Sequence, residues 1–175
     1  MSDDLLSAFL KDEINFYIIP RDLKDLPSGL QTECIYRENL YLIAAPGVVK
    51  EEDLADPIHN IVRDAFLRSQ PFIPIKKGHA IRKKTDEIFR KKKISPMVSM
   101  EVSSCISAVQ LAHSGLGITI VPSRALEALG GIDCFCRYQY GEIPDAWDVN
   151  VVYKKDSYLD RTERGFIELL KSVFP

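Results

Sequence analysis

A chain of 175 residues, 46% hydrophobic and 27% charged, is long enough to bury a core as one domain or as two small lobes. Its formal net charge of −2 argues against a dedicated nucleic-acid binder, and no apolar stretch approaches the ~20 residues of a membrane span. The acidic start MSDDLLSAFLKDE lacks the regions of a secretory signal, and four scattered cysteines (Cys34, Cys105, Cys134, Cys136) make no disulfide framework, so a reducing cytoplasm is the expected compartment.

The chain opens on a predicted helix, with Leu6, Phe9 and Leu10 at helical spacing behind an acidic first turn. INFYIIP reads as a buried strand from Ile14 to Ile19 closed by Pro20, LPSGLQ as a turn, and NLYLIAAPG as a second strand ended by Pro46 and Gly47. The stretch from Glu51 to Gln70 reads as helical in places, with Ile58, Ile61, Val62 and Ala65 in register. PFIPI is a strand, KKGHAIR a loop, and Ile81, Thr85, Ile88 and Phe89 mark one face of a helix. SPMVSME is a strand, and Cys105, Ala108, Val109 and Ala112 stripe the next helix, which ends near Gly115 and Gly117. GITIV is a strand stopped by Pro122. IDCFCRYQ and WDVNVVYKK are strand-like, and a last helix carries Phe166, Ile167, Leu170 and Val173 on one side. Strand, helix, strand, helix, strand is the pattern of an α/β protein with parallel strands and crossover helices.

In open α/β sheets ligands sit beyond the carboxyl ends of parallel strands, where helices begin. Ser103 and Ser104 lie at such a junction, where N–H groups and the positive end of the helix dipole favour an anion such as a carboxylate. Read from the residues alone, Ser103 simply capping its own helix is the favoured explanation. His79 occupies the equivalent junction after the preceding strand, as a ligand donor or as an exposed loop histidine. The three histidines are too far apart for metal spacing, so neither a metal nor a cofactor is expected. Cys134 and Cys136 alternate along a strand and read as two buried small hydrophobes, and Cys105 as part of its helix's apolar stripe. Arg82-Lys83-Lys84 and Arg90-Lys91-Lys92-Lys93 read as a solvated face, and no acid/base pair, nucleophile elbow or phosphate loop is present.

The order of these pieces resembles the effector-binding domain of LysR-type transcriptional regulators, from about Leu5 to Phe174. LLSAFLKDEINFYII, LPSGLQTECIYRENLYLIAAPG and PFIPIKKGHAIRKKTDEIF each resemble successive stretches of that domain. MEVSSCISAVQLAHSGLGITIVPSRAL, from the strand-end Glu101 to the closing proline, resembles it most closely. The resemblance implies two Rossmann-like lobes of the type II periplasmic-binding-protein fold, with an effector cleft between them. Residues 1–45 with 138–175 would form lobe I, the first and incomplete lobe, and 46–137 lobe II. It also implies a non-catalytic sensor of a small anionic metabolite, a carboxylate for example, acting as a homo-oligomer. DNA would be reached only through a helix-turn-helix part outside this chain, with no membrane involved. Pro20 and Arg21 from the first lobe, with Gly78, His79, Ala80, Ile81, Ser103, Ser104 and Thr119 from the second, would line the cleft. The family's opening strand–helix–strand is not seen, so Met1 is expected to be an internal methionine or an artificial boundary. A stand-alone solute-binding protein of the same fold is the alternative, and a small α/β enzyme the remoter one.

Overall fold

The structure, a computed structural model, describes residues 2–20, 28–141, 146–155 and 159–174. In chain order it contains α1 (Ser2–Leu10), β1 (Phe16–Pro20), β2 (Leu30–Ile43), β3 (Leu54–Asp56), β4 (Ile61–Val62), α2 (Asp64–Ser69), β5 (Pro71–Phe72) and α3 (Ala80–Lys91). There follow β6 (Met97–Val98), α4 (Cys105–His113), β7 (Thr119–Pro122), α5 (Ser123–Glu127), β8 (Arg137–Tyr138), β9 (Ala146–Lys154) and α6 (Arg161–Val173). The chain forms two compact units, Met1–Glu38 with Ala146–Pro175 and Asn39–Asp145. The expected seams at 45/46 and 137/138 fall inside the second unit, because Leu40–Ile43 pair with Thr119–Pro122 and Leu42–Ile43 with Arg137–Tyr138.

In the first unit β9 lies between β1 and β2 and pairs antiparallel with β1, from Phe16 opposite Tyr153 to Pro20 opposite Val149. Alternation along β9 divides the apolar residues between two faces. Val152 joins Phe9, Tyr17 and Ile19 beneath α1, where Phe9 meets the Tyr17 ring edge-on at 5.0 Å. Val151 and Tyr153 join Ile35, Leu159 and Ile167 beneath α6. Asp160 and Glu163 close a capping box at the start of α6. Lys171 ties the same helix to β2 through Glu33 at 2.7 Å. That lysine first, and the Tyr153 hydroxyl second, hold the Glu33 carboxyl below its ordinary range. The expected apolar face of α6 holds at Ile167 and Leu170 but not at Phe166 and Val173. Ile167 is buried and Leu170 and Phe174 pack beside it, whereas Phe166 and Val173 are 45% and 57% exposed. At about 100° per residue, 167, 170 and 174 share the inward stripe and 166 and 173 fall beside it.

The second unit is built on parallel strands. β5 pairs with β6, and the pairing resumes where Ile75 faces Val102. On its other side Phe72 faces Ile118, with Ile118 N–H donating to Pro71 O at 2.7 Å and Ile73 N–H to Ile118 O at 2.9 Å. Helices α3 and α4 make the two crossovers. Each follows its expected spacing: α3 buries Ile81, Thr85, Ile88 and Phe89, and α4 buries Ala108, Val109 and Ala112. Cys105, at the start of that stripe, is only half-buried. The return from α4 to β7 needs Gly117, whose φ is +150° and whose added Cβ would stand 2.5 Å from Pro71 O. No side chain fits between these strands.

Two stretches depart from the sequence reading. Residues 54–62 form the β3–β4 hairpin, and Ile58 is 87% exposed. Asp56 accepts the N–H groups of Ile58 (2.9 Å) and His59 (3.2 Å), Asn60 takes a positive φ of 54°, and Pro57 disfavours helix at Asp56. Of these four, Ile58, Ile61 and Val62 therefore lie on the hairpin and Ala65 on α2, so the stretch from Glu51 to Gln70 is helical only at the 3-10 turn of residues 51–53 and at α2. In the second stretch, residues 132–134 form a 3-10 turn and pairing with β2 begins only at Arg137. Cys134 is exposed and Cys136 half-buried, so they do not share a buried strand face. Cys134 instead sets its thiol against Gly130 O at the turn.

Candidate functional site

β5 and β6 run side by side and in the same direction, so the segments leaving their carboxyl ends emerge next to each other. Lys76 N–H donates to Val102 O at 2.8 Å, and Val102 N–H to Pro74 O at 3.1 Å. Beyond this last rung one chain continues through Gly78 and His79 into α3, and the other through Ser103 and Ser104 into α4. Two helix N-termini thereby meet at one edge of the sheet, each bringing main-chain donors and the positive end of its dipole.

Capping falls to Ser104, not Ser103. The Ser104 hydroxyl accepts the N–H of Ile106 at 3.2 Å and its backbone is extended, as an N-cap requires. Ser103 is exposed, and its hydroxyl makes no hydrogen bond to a described residue. His79 is the N-cap of α3, but its ring makes no capping bond. Its carbonyl accepts from Arg82 and Lys83, so the backbone begins the helix and leaves the half-buried imidazole uncommitted. Gly78 turns with φ at +93°, and a Cβ there would meet nothing within 4 Å, so the edge is open at this point. Ala80 is half-buried.

The remaining expected positions are less exposed or lie elsewhere. Ile81 is 5% exposed and belongs to the core beneath α3. Thr119 is fully buried, and its hydroxyl donates to Ile73 O at 2.8 Å, locking β7 to the strand that carries the edge. Pro20 ends β1 in the first unit, and Arg21 lies outside the described residues. Of the expected set, Gly78, His79, Ala80, Ser103 and Ser104 come together on one edge.

One group at this edge escaped the sequence reading. Arg82, expected on a solvated face, is only 12% exposed in its side chain. Its guanidinium donates to Glu101 Oε1 at 2.6 Å, to Asp86 at 2.9 and 3.0 Å, and to Ile75 O at 3.1 Å. It thus clasps the first turn of α3 to the ends of both strands. The Glu101 bond, foremost among these, raises the Arg82 pKa, and the same bond holds the Glu101 carboxyl below its ordinary range. Lys76 and Lys77 add a smaller pull on Glu101 in the same direction. The clasp sets one guanidinium between two carboxylates and fixes the backbone of the edge, where the Ser103 hydroxyl and the His79 ring make no hydrogen bond to a described residue. Among the described residues no group of three or more His, Cys, Asp or Glu could hold a metal ion. No helix there is long and apolar enough to cross a membrane.

Two mixed α/β units, joined through strands and with helices opening at the carboxyl edge of parallel strands, define a type II periplasmic-binding-protein-like fold. The family model described as LysR substrate binding domain matches residues 1–175, and the chain belongs to that family. Among solved structures it is similar to the CcmR regulatory domain of Synechocystis PCC6803 in complex with 2-PG, with a TM-score of 0.78 and 20% identity. That match covers 97% of this chain and 78% of the other. It is also similar to HinK, a LysR family transcriptional regulator from Pseudomonas aeruginosa, with a TM-score of 0.75 and 14% identity over 98% of this chain and 57% of that one. An uncharacterized HTH-type transcriptional regulator of Bacillus subtilis, YybE, is 38% identical over 56 residues, which are 32% of this chain and 19% of that protein. The chain thus matches about a fifth of this relative's length.

Proposed function

We propose that this chain is the effector-sensing part of a cytoplasmic, oligomeric LysR-type regulator, and that it binds a small anionic metabolite without catalysing a reaction. The observation that carries the reading is the pair of helix N-termini at the ends of β5 and β6, with the Ser103 hydroxyl and the His79 ring both uncommitted there. Main-chain donors, a hydroxyl and an imidazole facing a dipole-positive edge form a cradle for a carboxylate or a similar anion. Ser104 serves as cap and supplies its own N–H, Gly78 keeps the approach open, and Thr119 and Ile81 brace the cradle from behind. The complex of the structurally similar CcmR domain with 2-PG supports a small-molecule role for this fold. Effector binding shifts the domain between conformations only by its differential affinity for them, and that shift passes to a DNA-binding part elsewhere in the regulator.

A thermal-shift screen of metabolite carboxylates tests this reading. A ligand at a hundred times its dissociation constant adds roughly 2.7 kcal/mol of stability. The variant Ser103→Ala should then weaken binding while leaving the melting temperature of the free protein unchanged. Equal affinity of Ser103→Ala, His79→Ala and the parent for the best ligand refutes the assignment.

A further inference from the structure

Helix α6 carries an uncharged flank beside the face it buries. At about 100° per residue, Thr162, Gly165, Phe166, Leu169, Ser172 and Val173 fall within one sector of about 120°, and all six are exposed. The charged residues of the helix, Arg161, Glu163, Arg164, Glu168 and Lys171, lie outside that sector. Phe166, Leu169 and Val173 are 45%, 57% and 57% exposed, and the Ser172 hydroxyl is turned back onto Leu169 O at 2.7 Å. At Gly165, inside the helix, an added Cβ would meet nothing within 4 Å, so no described neighbour requires glycine. Glycine there weakens the helix relative to alanine, and what it permits is the close approach of another backbone.

This flank looks toward the open side of the sheet. α6 is centred over β9, where Ile167 shares a core with Val151 and Tyr153. One side of the helix reaches β2 through Lys171 and Glu33 at 2.7 Å. The uncharged side reaches β1, where the Phe166 and Phe16 rings stand 6.1 Å apart. Ile18 lies on the same face of β1 as Phe16, opposite Val151, yet is 37% exposed. Among the described residues β1 pairs with β9 alone, so its outer edge is open. Packed helices stand about 8–10 Å apart and neighbouring strands about 4.8 Å. A helix against the uncharged flank therefore lies about two strand spacings from β9, above a strand added to the outer edge of β1. A second copy joined edge to edge through β1 would set the two α6 helices about three spacings, or ~14 Å, apart, too far for their flanks to pack.

We propose that this face seats a strand and an amphipathic helix supplied by a segment of the regulator outside these 175 residues. The strand pairs with β1, and the helix covers Ile18, Phe166, Leu169 and Val173 with a small residue set against Gly165. Length agrees with this occupant. The part of the CcmR domain with no counterpart here, about a fifth of it, is on the order of fifty residues, and a strand–helix–strand unit takes about 30. The inference rests on the reading of this chain as part of a longer regulator, and it is independent of the edge formed by His79 and Ser103.

Labelling with N-ethylmaleimide, read at the substituted residue by mass spectrometry, tests the proposal on the intact regulator and on the 175-residue chain. The Leu169→Cys variant should label at least tenfold more slowly in the intact regulator than in the chain, at every protein concentration. Glu168→Cys, on the charged side and 70% exposed, should label equally in both. Gly165→Leu should raise the melting temperature of the chain, where the space is open, and lower that of the intact regulator, where a helix fills it. Equal labelling of Leu169→Cys in the two proteins overturns the proposal, as does a Gly165→Leu shift of the same sign in both. Protection of Leu169→Cys in the chain alone that grows with its concentration assigns the face to a second copy, and also overturns it. None of these readouts involves an effector, so they and the thermal-shift screen fail independently.

Discussion

Replacing Gly117 with alanine probes the closest backbone approach described in the second unit. The new Cβ would stand 2.5 Å from Pro71 O and 3.2 Å from both Pro71 C and Ile73 Cγ1. A carbon-to-oxygen contact is comfortable near 3.3 Å, so the strands must separate by roughly 0.8 Å. The same two strands are joined by Ile118 N–H to Pro71 O at 2.7 Å and Ile73 N–H to Ile118 O at 2.9 Å, so separation strains hydrogen bonds that flank the substitution. Overpacking of this kind costs about 1–3 kcal/mol. A non-glycine residue at positive φ adds about 1–2 kcal/mol. Together they predict a loss of roughly 2–5 kcal/mol. Gly115 provides the control: its φ is +85°, but its Cβ would meet only Ala45 Cβ at 3.9 Å, so alanine there bears the backbone cost alone. Urea unfolding of both variants, compared at unchanged m-value, reads the difference directly. Should Gly117→Ala prove no less stable than Gly115→Ala, the close-approach argument fails.

The two serines should separate in stability: Ser104→Ala loses about 1 kcal/mol with its cap, and Ser103→Ala stays within about 0.5 kcal/mol, as read by thermal melts. Equal losses would mean that Ser103 shares the capping. The clasp should add a pH dependence of definite sign. Because Arg82 holds the Glu101 carboxyl below its unfolded value, its stabilisation is complete above the ordinary glutamate pKa of about 4.3 and is lost as pH falls through the lower folded value. The melting temperature of the parent should therefore drop more steeply below pH 4 than that of Glu101→Gln, and parallel curves would remove Glu101 from the account. On α6, Ile167→Ala should cost about 2–5 kcal/mol, while alanine at the 57% exposed Leu169 should cost under about 0.5 kcal/mol. Equal losses in denaturant unfolding would contradict the packing of that helix.

Local rules carried the sequence reading wherever one element decides its own form. The four apolar residues of α3 and the alanine–valine stripe of α4 were legible because helical spacing and burial coincide there. The β3–β4 hairpin was hidden because Ile58, Ile61 and Val62 continue the helical period of Ala65 in α2, while the Asp56 side chain and Pro57 turn the backbone away from helix. The region of Cys134 and Cys136 misled for the complementary reason: two-residue alternation implies a strand, but ladder pairing starts only at Arg137. In the candidate site, the junctions at His79 and Ser103–Ser104 were visible as strand-to-helix transitions. Which serine caps its helix depends on one backbone dihedral pair, which a run of two serines does not reveal. The Arg82–Glu101 clasp joins residues 19 apart in the chain, and it forms only because β5 and β6 end side by side.

The discontinuity of the first unit has a consequence for synthesis. β1 emerges early, but its partner β9 is made only after the whole of Asn39–Asp145. Roughly a hundred residues at about 5–20 per second correspond to a delay on the order of 5–20 s. During that interval Tyr17 and Ile19 lack their β9 partner, whereas the second unit, being contiguous, has all of its own strands by the time β9 is made. The nascent first unit is therefore the stage at which a holdase chaperone has most to cover, and slow translation across the second unit lengthens that exposure.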